Sequence, residues 1–244
     1  AIAAAKKSAT IKLLKDITRS EKLVIDKALT INLDGHTFTS TYAINGGDRY
    51  ALVTNENVTI RNGSFVAENA RAVCANANLT VSGATIKSGV TGGHAVLGLS
   101  GEGCTYNITN STIKGDYAVC GFAKNITVKI TGSTLEGTGN VLYHNGSHSG
   151  LNLTVKNSTI NVVEGAGNND ACGVYISGTD TAYAAVGAQK ATFTNCTING
   201  IRIGVEVKYT DLTLENCKVS VENVEASYTP NGNGPATSGF AVVS

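Results

Sequence analysis

The sequence predicts an all-β fold: a single-stranded, right-handed parallel β-helix, wound as a solenoid of about eight coils. Three observations predict it. A phrase reading apolar, Thr, apolar, any residue, Asn or Gly, small, Ser or Thr, apolar recurs along the chain. A second short apolar phrase recurs between its copies. The composition, with 28 Gly, 2 Pro and no Trp, suits short strands joined by tight turns.

The elements follow in order. Residues 1–9 form a cap or leader: Ile2 to Ser8 are rich in helix-forming Ala and Lys, and a short helix there could plug the open end of the core. The solenoid occupies 10–244. Its main phrase appears loosely at 31–38 and clearly at 58–65, 79–86, 106–113, 128–135, 153–160, 191–198 and 212–219. Within each copy the first and third residues are apolar. The second is Thr59, Thr80, Asn107, Lys129, Thr154, Thr192 or Thr213, which is the alternation of a half-buried strand. The corner that follows carries Asn62, Asn110, Asn157, Asn195 and Asn216, with Gly83 and Gly132 in the other copies. Both residue types accept a left-handed backbone, and stacked Asn side chains can bond along the axis as an asparagine ladder. Copies that run in one direction, one coil apart, must pair parallel and in register.

The second phrase runs through Leu52, Val73, Val96, Val119, Leu142, Val174 and Val205, expected to point inward. The next residue then faces outward, giving the column Val53, Cys74, Leu97, Cys120, Tyr143, Tyr175, Glu206.

These stacked strands, aliphatic columns and Asn corners resemble the right-handed parallel β-helix of the pectate-lyase-like superfamily. The opening stretches 10–18 and 29–38 resemble those of β-helix domains in surface proteins of gut bacteria. The resemblance implies a secreted or cell-surface setting and carries over no catalytic residue. Gly92-Gly93-His94 and the stretch from Arg202 to Lys208 are imperfect echoes of polygalacturonase-like motifs, and the acidic cluster of calcium-dependent pectate lyases does not appear on the strands.

Charge narrows the function. Only 15% of residues are charged and the formal charge is +1, so nothing marks a nucleic-acid partner, and no run is long enough for membrane insertion. The six cysteines do not form a disulfide framework. Cys74 and Cys120 share a strand position two coils apart, and Cys196 and Cys217 share a turn position in successive coils, where parallel side chains suit free thiols better than a bridge.

Chemistry is expected near the lengthened coils, around 161–171, 179–190 and 223–238. There the outward column changes from apolar to aromatic and acidic. Tyr143, Tyr175 and Glu206, with His144 beside them, form the candidate binding site, because aromatic faces next to a carboxylate suit sugars. Cross-strand packing beneath an inserted loop is the plainer alternative. Weak catalytic candidates are Glu206 with Glu164 or Asp170, since glycoside hydrolysis needs two carboxyls about 5 to 9.5 Å apart. His144 and His148 flank Asn145-Gly146 without ligand spacing, so no metal and no cofactor is expected. The resulting expectation is a non-catalytic glycan-binding or structural display module, a monomeric domain of a larger adhesin-like surface protein whose partner is a polysaccharide or host glycan. The alternative is a polysaccharide lyase or glycoside hydrolase acting on an acidic polysaccharide.

Overall fold

The computed structural model describes residues 1–144, 149–163, 171–179, 181, 184, 188–201 and 203–222, and the backbone of 238–243. It is a parallel β-solenoid of about eight turns. The first coil contains β1 (Ala9–Lys12), β2 (Ile17–Arg19) and β3 (Leu23–Ile25), and the second β4 (Leu29–Asn32), β5 (Thr37–Ala43) and β6 (Tyr50–Thr54). In the next two coils β7 (Val58–Asn69) and β9 (Leu79–Ser88) run unbroken through the Asn or Gly corner, followed by β8 (Arg71–Ala75) and β10 (Ala95–Leu99). Three-strand coils resume with β11 (Thr105–Thr109), β12 (Thr112–Gly115) and β13 (Tyr117–Gly121), then β14 (Thr127–Thr131), β15 (Thr134–Gly137) and β16 (Leu142–His144). The last three are β17 (Asn152–Lys156), β18 (Thr159–Val162) and β19 (Cys172–Ile176); β20 (Gln189–Thr194), β21 (Thr197–Gly200) and β22 (Ile203–Lys208); and β23 (Thr210–Glu215), β24 (Lys218–Val221) and β25 (Ser238–Val243).

Three columns result. Two belong to a 16-stranded sheet joined by β7 and β9, and the third is a separate 9-stranded sheet running from β3 to β25. Every pairing between named strands is parallel, and successive phrases stack residue on residue: Val58 on Leu79, Leu79 on Tyr106, Tyr106 on Val128. Inward positions make one continuous core. Phe65, Ile86, Ile113, Leu135, Ile160 and Ile198 form a single aliphatic and aromatic column, each 3% exposed or less. Phe38 stacks on Phe65 with ring centroids 5.2 Å apart. Burying each such side chain stabilises the fold by about 1.5–3 kcal/mol.

The corner between the first two columns is left-handed in every clear copy, with φ of 57° at Asn62, 49° at Asn110, 50° at Asn157, 53° at Asn195 and 51° at Asn216. Gly83 and Gly132 take φ of 58° and 60°. The asparagine ladder is discontinuous. Asn195 donates to Asn157 Oδ1 at 3.1 Å and Asn62 to Asn32 Oδ1 at 3.3 Å, while the glycines supply no rung. The residue after the corner builds a second ladder. Ser111 Oγ accepts from the Ala84 amide (3.2 Å), Ser133 Oγ from the Ser111 amide (3.2 Å) and Ser158 Oγ from the Ser133 amide (3.1 Å). Each hydroxyl also donates to the carbonyl two residues earlier, at 2.7–2.9 Å. A buried turn thereby satisfies its backbone groups. Cys196 and Cys217 continue the series with thiols in place of hydroxyls, and all six cysteines are free.

Two expectations are corrected. The opening residues form turns rather than a helix: the Ala5 amide donates to the Ile2 carbonyl at 3.2 Å, and strand structure begins at Ala9. Lys27 draws this segment toward the first coil through the carbonyls of Ala3 (3.0 Å) and Ala5 (3.1 Å), a local anchor that replaces helical bonding. The outward column does not contain Leu97. Leu97 pairs with Val73 and Val119 in the inward row, and Gly98 stands outward between Cys74 and Cys120. The Ala95-Val96 pair comes one residue earlier in the register than Ala72-Val73 and Ala118-Val119, and the outward Gly98 leaves room for Tyr50, whose Oη would lie 2.2 Å from a Cβ there.

Candidate functional site

The outer face of the third column carries the candidate site. Register puts Cys120, Tyr143, Tyr175 and Glu206 on adjacent strands in one row. The Tyr143 and Tyr175 rings are parallel within 6° with centroids 5.6 Å apart. Parallel rings at that separation are offset, so each overlaps the next like a shingle. Lys208 Nζ lies 5.8 Å from the far ring of this pair, that of Tyr175. At the other end Tyr117 and Phe122 approach Tyr143 at tilts of 56° and 55°. Gly139 makes room for Tyr117, since a Cβ there would sit 2.1 Å from the ring. The row is an aromatic strip across coils, half-buried at each tyrosine.

Glu206 differs from its neighbours. Every residue from Ile203 to Val207 is buried, and Glu206 is only 2% exposed, with Oε1 lacking a hydrogen-bond partner among the described residues. Burial pushes its carboxyl up to about 7, against the opposing pull of Lys208. Burial also raises the Tyr143 phenol, and burial followed by the Glu206 charge raises that of Tyr175. A carboxyl held near neutral pH can exchange a proton under mild conditions. Its sequence-predicted partners, Glu164 and Asp170, lie outside the described residues, as do His148 and Arg202.

His144 is not on the strip. It ends β16 in register with Gly121 and Ile176, is 1% exposed, and faces the opposite side of the strand from Tyr143. A Cβ on Gly121 would approach the His144 ring to 2.7 Å, so the glycine accommodates the imidazole. The alternation that sends Tyr143 outward sends the next residue in.

A polar cluster adjoins the strip on the N-terminal side. Arg71 Nε donates to His94 Nδ1 at 2.9 Å, Arg71 Nη2 to the Gly93 carbonyl at 3.2 Å, and the guanidinium lies 5.5 Å from the Tyr50 ring centroid. Asp116 accepts from the amides of Gly93 (2.6 Å) and His94 (2.9 Å) and from Thr138 Oγ1 (2.9 Å). These bonds occupy the carboxylate and pin the Gly92-Gly93-His94 turn, and burial followed by the Arg71 charge lowers the His94 imidazole. Sequence reasoning missed the cluster, because Ala95 rather than His94 stands in register with Tyr117, so His94 falls outside the row that pairs Tyr50 with Arg71.

Comparison with protein-family models, with curated proteins and with solved structures finds no match for this chain.

Proposed function

We propose that this chain is a non-catalytic glycan-binding module, displayed at a bacterial cell surface as a monomeric domain of an adhesin-like protein. The resemblance to the pectate-lyase-like superfamily and to gut-bacterial surface proteins supports the extracellular setting. The observation that carries the binding reading is the shingled Tyr143–Tyr175 pair with Lys208 at its end. Half-buried tyrosines offer apolar surface to the apolar faces of sugar rings, phenols bond to hydroxyls, and the ammonium favours chains with some carboxylate. A rigid solenoid holds these groups at strand spacing without an ordering cost on binding. The test is a glycan array with the parent chain and with Tyr143→Ala and Tyr175→Ala. Binding by the parent that each substitution reduces about tenfold supports the reading; an array without bound glycans, or binding untouched by both substitutions, refutes it.

The raised carboxyl of Glu206 favours a second reading, a hydrolase or lyase acting on an acidic polysaccharide with Glu206 as its acid or base. Polysaccharide turnover that Glu206→Gln leaves unchanged eliminates that reading.

A further inference from the structure

The residue after the left-handed corner is Ser111, Ser133 and Ser158 in three successive coils, then Cys196 and Cys217 in the next two. Register fixes how the two cysteines meet. Thr194 pairs with Glu215 before the corner and Thr197 with Lys218 after it, with two residues between in each coil, so Cys196 lies directly against Cys217. The Asn195 amide donates to the Glu215 carbonyl and the Lys218 amide to the Cys196 carbonyl, both at 2.9 Å, which locks the two corners together. The two sulfurs lie within electrostatic and hydrogen-bonding reach of each other.

Neighbouring strands are about 4.8 Å apart, and side chains that leave stacked corners in parallel keep that separation at Cβ. A relaxed disulfide needs Cβ atoms about 3.5–4.5 Å apart, so a direct sulfur–sulfur bond strains the corner. A single ion between the sulfurs does not, because two metal–thiolate bonds of about 2.3 Å in line span about 4.6 Å. Ligand count then selects the ion. Structural zinc takes four ligands, and among the described residues no three His, Cys, Asp or Glu side chains gather around a metal position. Two thiolates alone suit a soft monovalent cation, and soft thiolates select Cu(I). The surroundings agree with that choice. Cys196 is 2% exposed and Cys217 half-buried, and their thiols donate to backbone carbonyls at 3.3–3.5 Å, weak bonds that cost little to give up. Burial raises the Cys196 thiol while hydrogen bonding from the Ser158 backbone lowers it, and a bound cation removes the proton outright.

We infer that Cys196 and Cys217 form a two-coordinate Cu(I) site at the corner between the first two columns. Two S–H bonds break and two S–Cu bonds form. Both protons pass to solvent, copper stays Cu(I), and no oxidant or reductant takes part. The third column carries the tyrosine strip, so this site is independent of glycan binding.

The test is anaerobic titration of the reduced 244-residue chain with Cu(I) against a colorimetric Cu(I) chelator, beside Zn(II) and the variants Cys196→Ser, Cys217→Ser and Cys74→Ser. Serine already stands at this corner in the three preceding coils, so the first two variants keep the fold, and an unchanged unfolding midpoint verifies it. X-ray absorption at the copper edge of the one-to-one parent complex reads the ligands without any substitution. Even an outer partner of a metal ligand is worth about 10- to 100-fold in affinity, so loss of a ligand itself should weaken Cu(I) binding at least about hundredfold in each corner variant. The expected result is one tight equivalent with two sulfur neighbours, unaltered in Cys74→Ser and not displaced by about tenfold excess Zn(II). Affinity unchanged in either corner variant, an equal loss in Cys74→Ser, displacement by Zn(II), or copper with three or more sulfur neighbours would each overturn the inference.

Discussion

Replacing Glu206 with Gln keeps the shape of a buried side chain and removes its titration. The carboxyl is raised from 4.5 to about 7, chiefly by burial. Folding therefore favours the protonated form: this stabilisation is complete below the unfolded-state value and is lost as pH rises through the folded value near 7. At about 1.36 kcal/mol per tenfold change in proton affinity the full effect is a little over about 3 kcal/mol, and because part of it is already lost below pH 5, about 2–3 kcal/mol remains to be read between pH 5 and pH 9. The parent chain should therefore lose about 2–3 kcal/mol relative to Glu206→Gln between pH 5 and pH 9, equivalent to about 4–12 °C for a domain of this size. Thermal or urea unfolding of both chains at pH 5, 6, 7, 8 and 9 measures it. A gap between the two chains that stays constant across that range refutes the argument, because a carboxylate that ionises freely in the fold has no reason to distinguish the two ends of the scale.

Other substitutions probe the scaffold. Tyr106→Phe removes a hydroxyl that accepts from the Gly101 amide at 2.8 Å and lies 3.2 Å from the Ala75 carbonyl; the cost should be about 1–3 kcal/mol, with faster hydrogen exchange at Gly101. Phe193→Ala empties a site with no solvent exposure and should cost about 3–5 kcal/mol in denaturant unfolding. Asn195→Ala puts an ordinary residue at φ 53° and breaks the bond to Asn157, for a loss of about 1–2 kcal/mol, whereas Asn195→Gly should recover most of it in the same assay. Gly139→Ala forces the Tyr117 ring away from Tyr143, which near-ultraviolet circular dichroism should register.

The parallel stack was readable because its causes are local and repeated. An apolar side chain at every second position and a left-handed residue at every corner leave the main phrases a single register, and the pairings from Val58 to Leu212 follow it. The outward row from Cys120 to Glu206 was readable for the same reason. Leu97 was misplaced because the Ala-Val phrase comes one residue earlier in β10 than in its neighbours, a shift that only the pairing of Leu97 with Val73 and Val119 reveals. His144 was grouped with Tyr143 by adjacency in the chain, whereas period-two alternation from Leu142 sends its side chain inward. The serine ladder hid behind the word "small": only stacked coordinates show that a hydroxyl there reaches the amide of the preceding coil. The opening segment has helical propensity, but seven residues are too few to nucleate a helix without tertiary support.

The parallel register has a mechanical corollary. Each strand bonds only to the coil before and the coil after, so the molecule is a quasi-one-dimensional spring whose links are nearly alike. Tension applied between its two ends would peel coils away in sequence rather than shear the whole core at once. A force-extension trace would then show a sawtooth of small, regular steps, each releasing about one repeat length of chain.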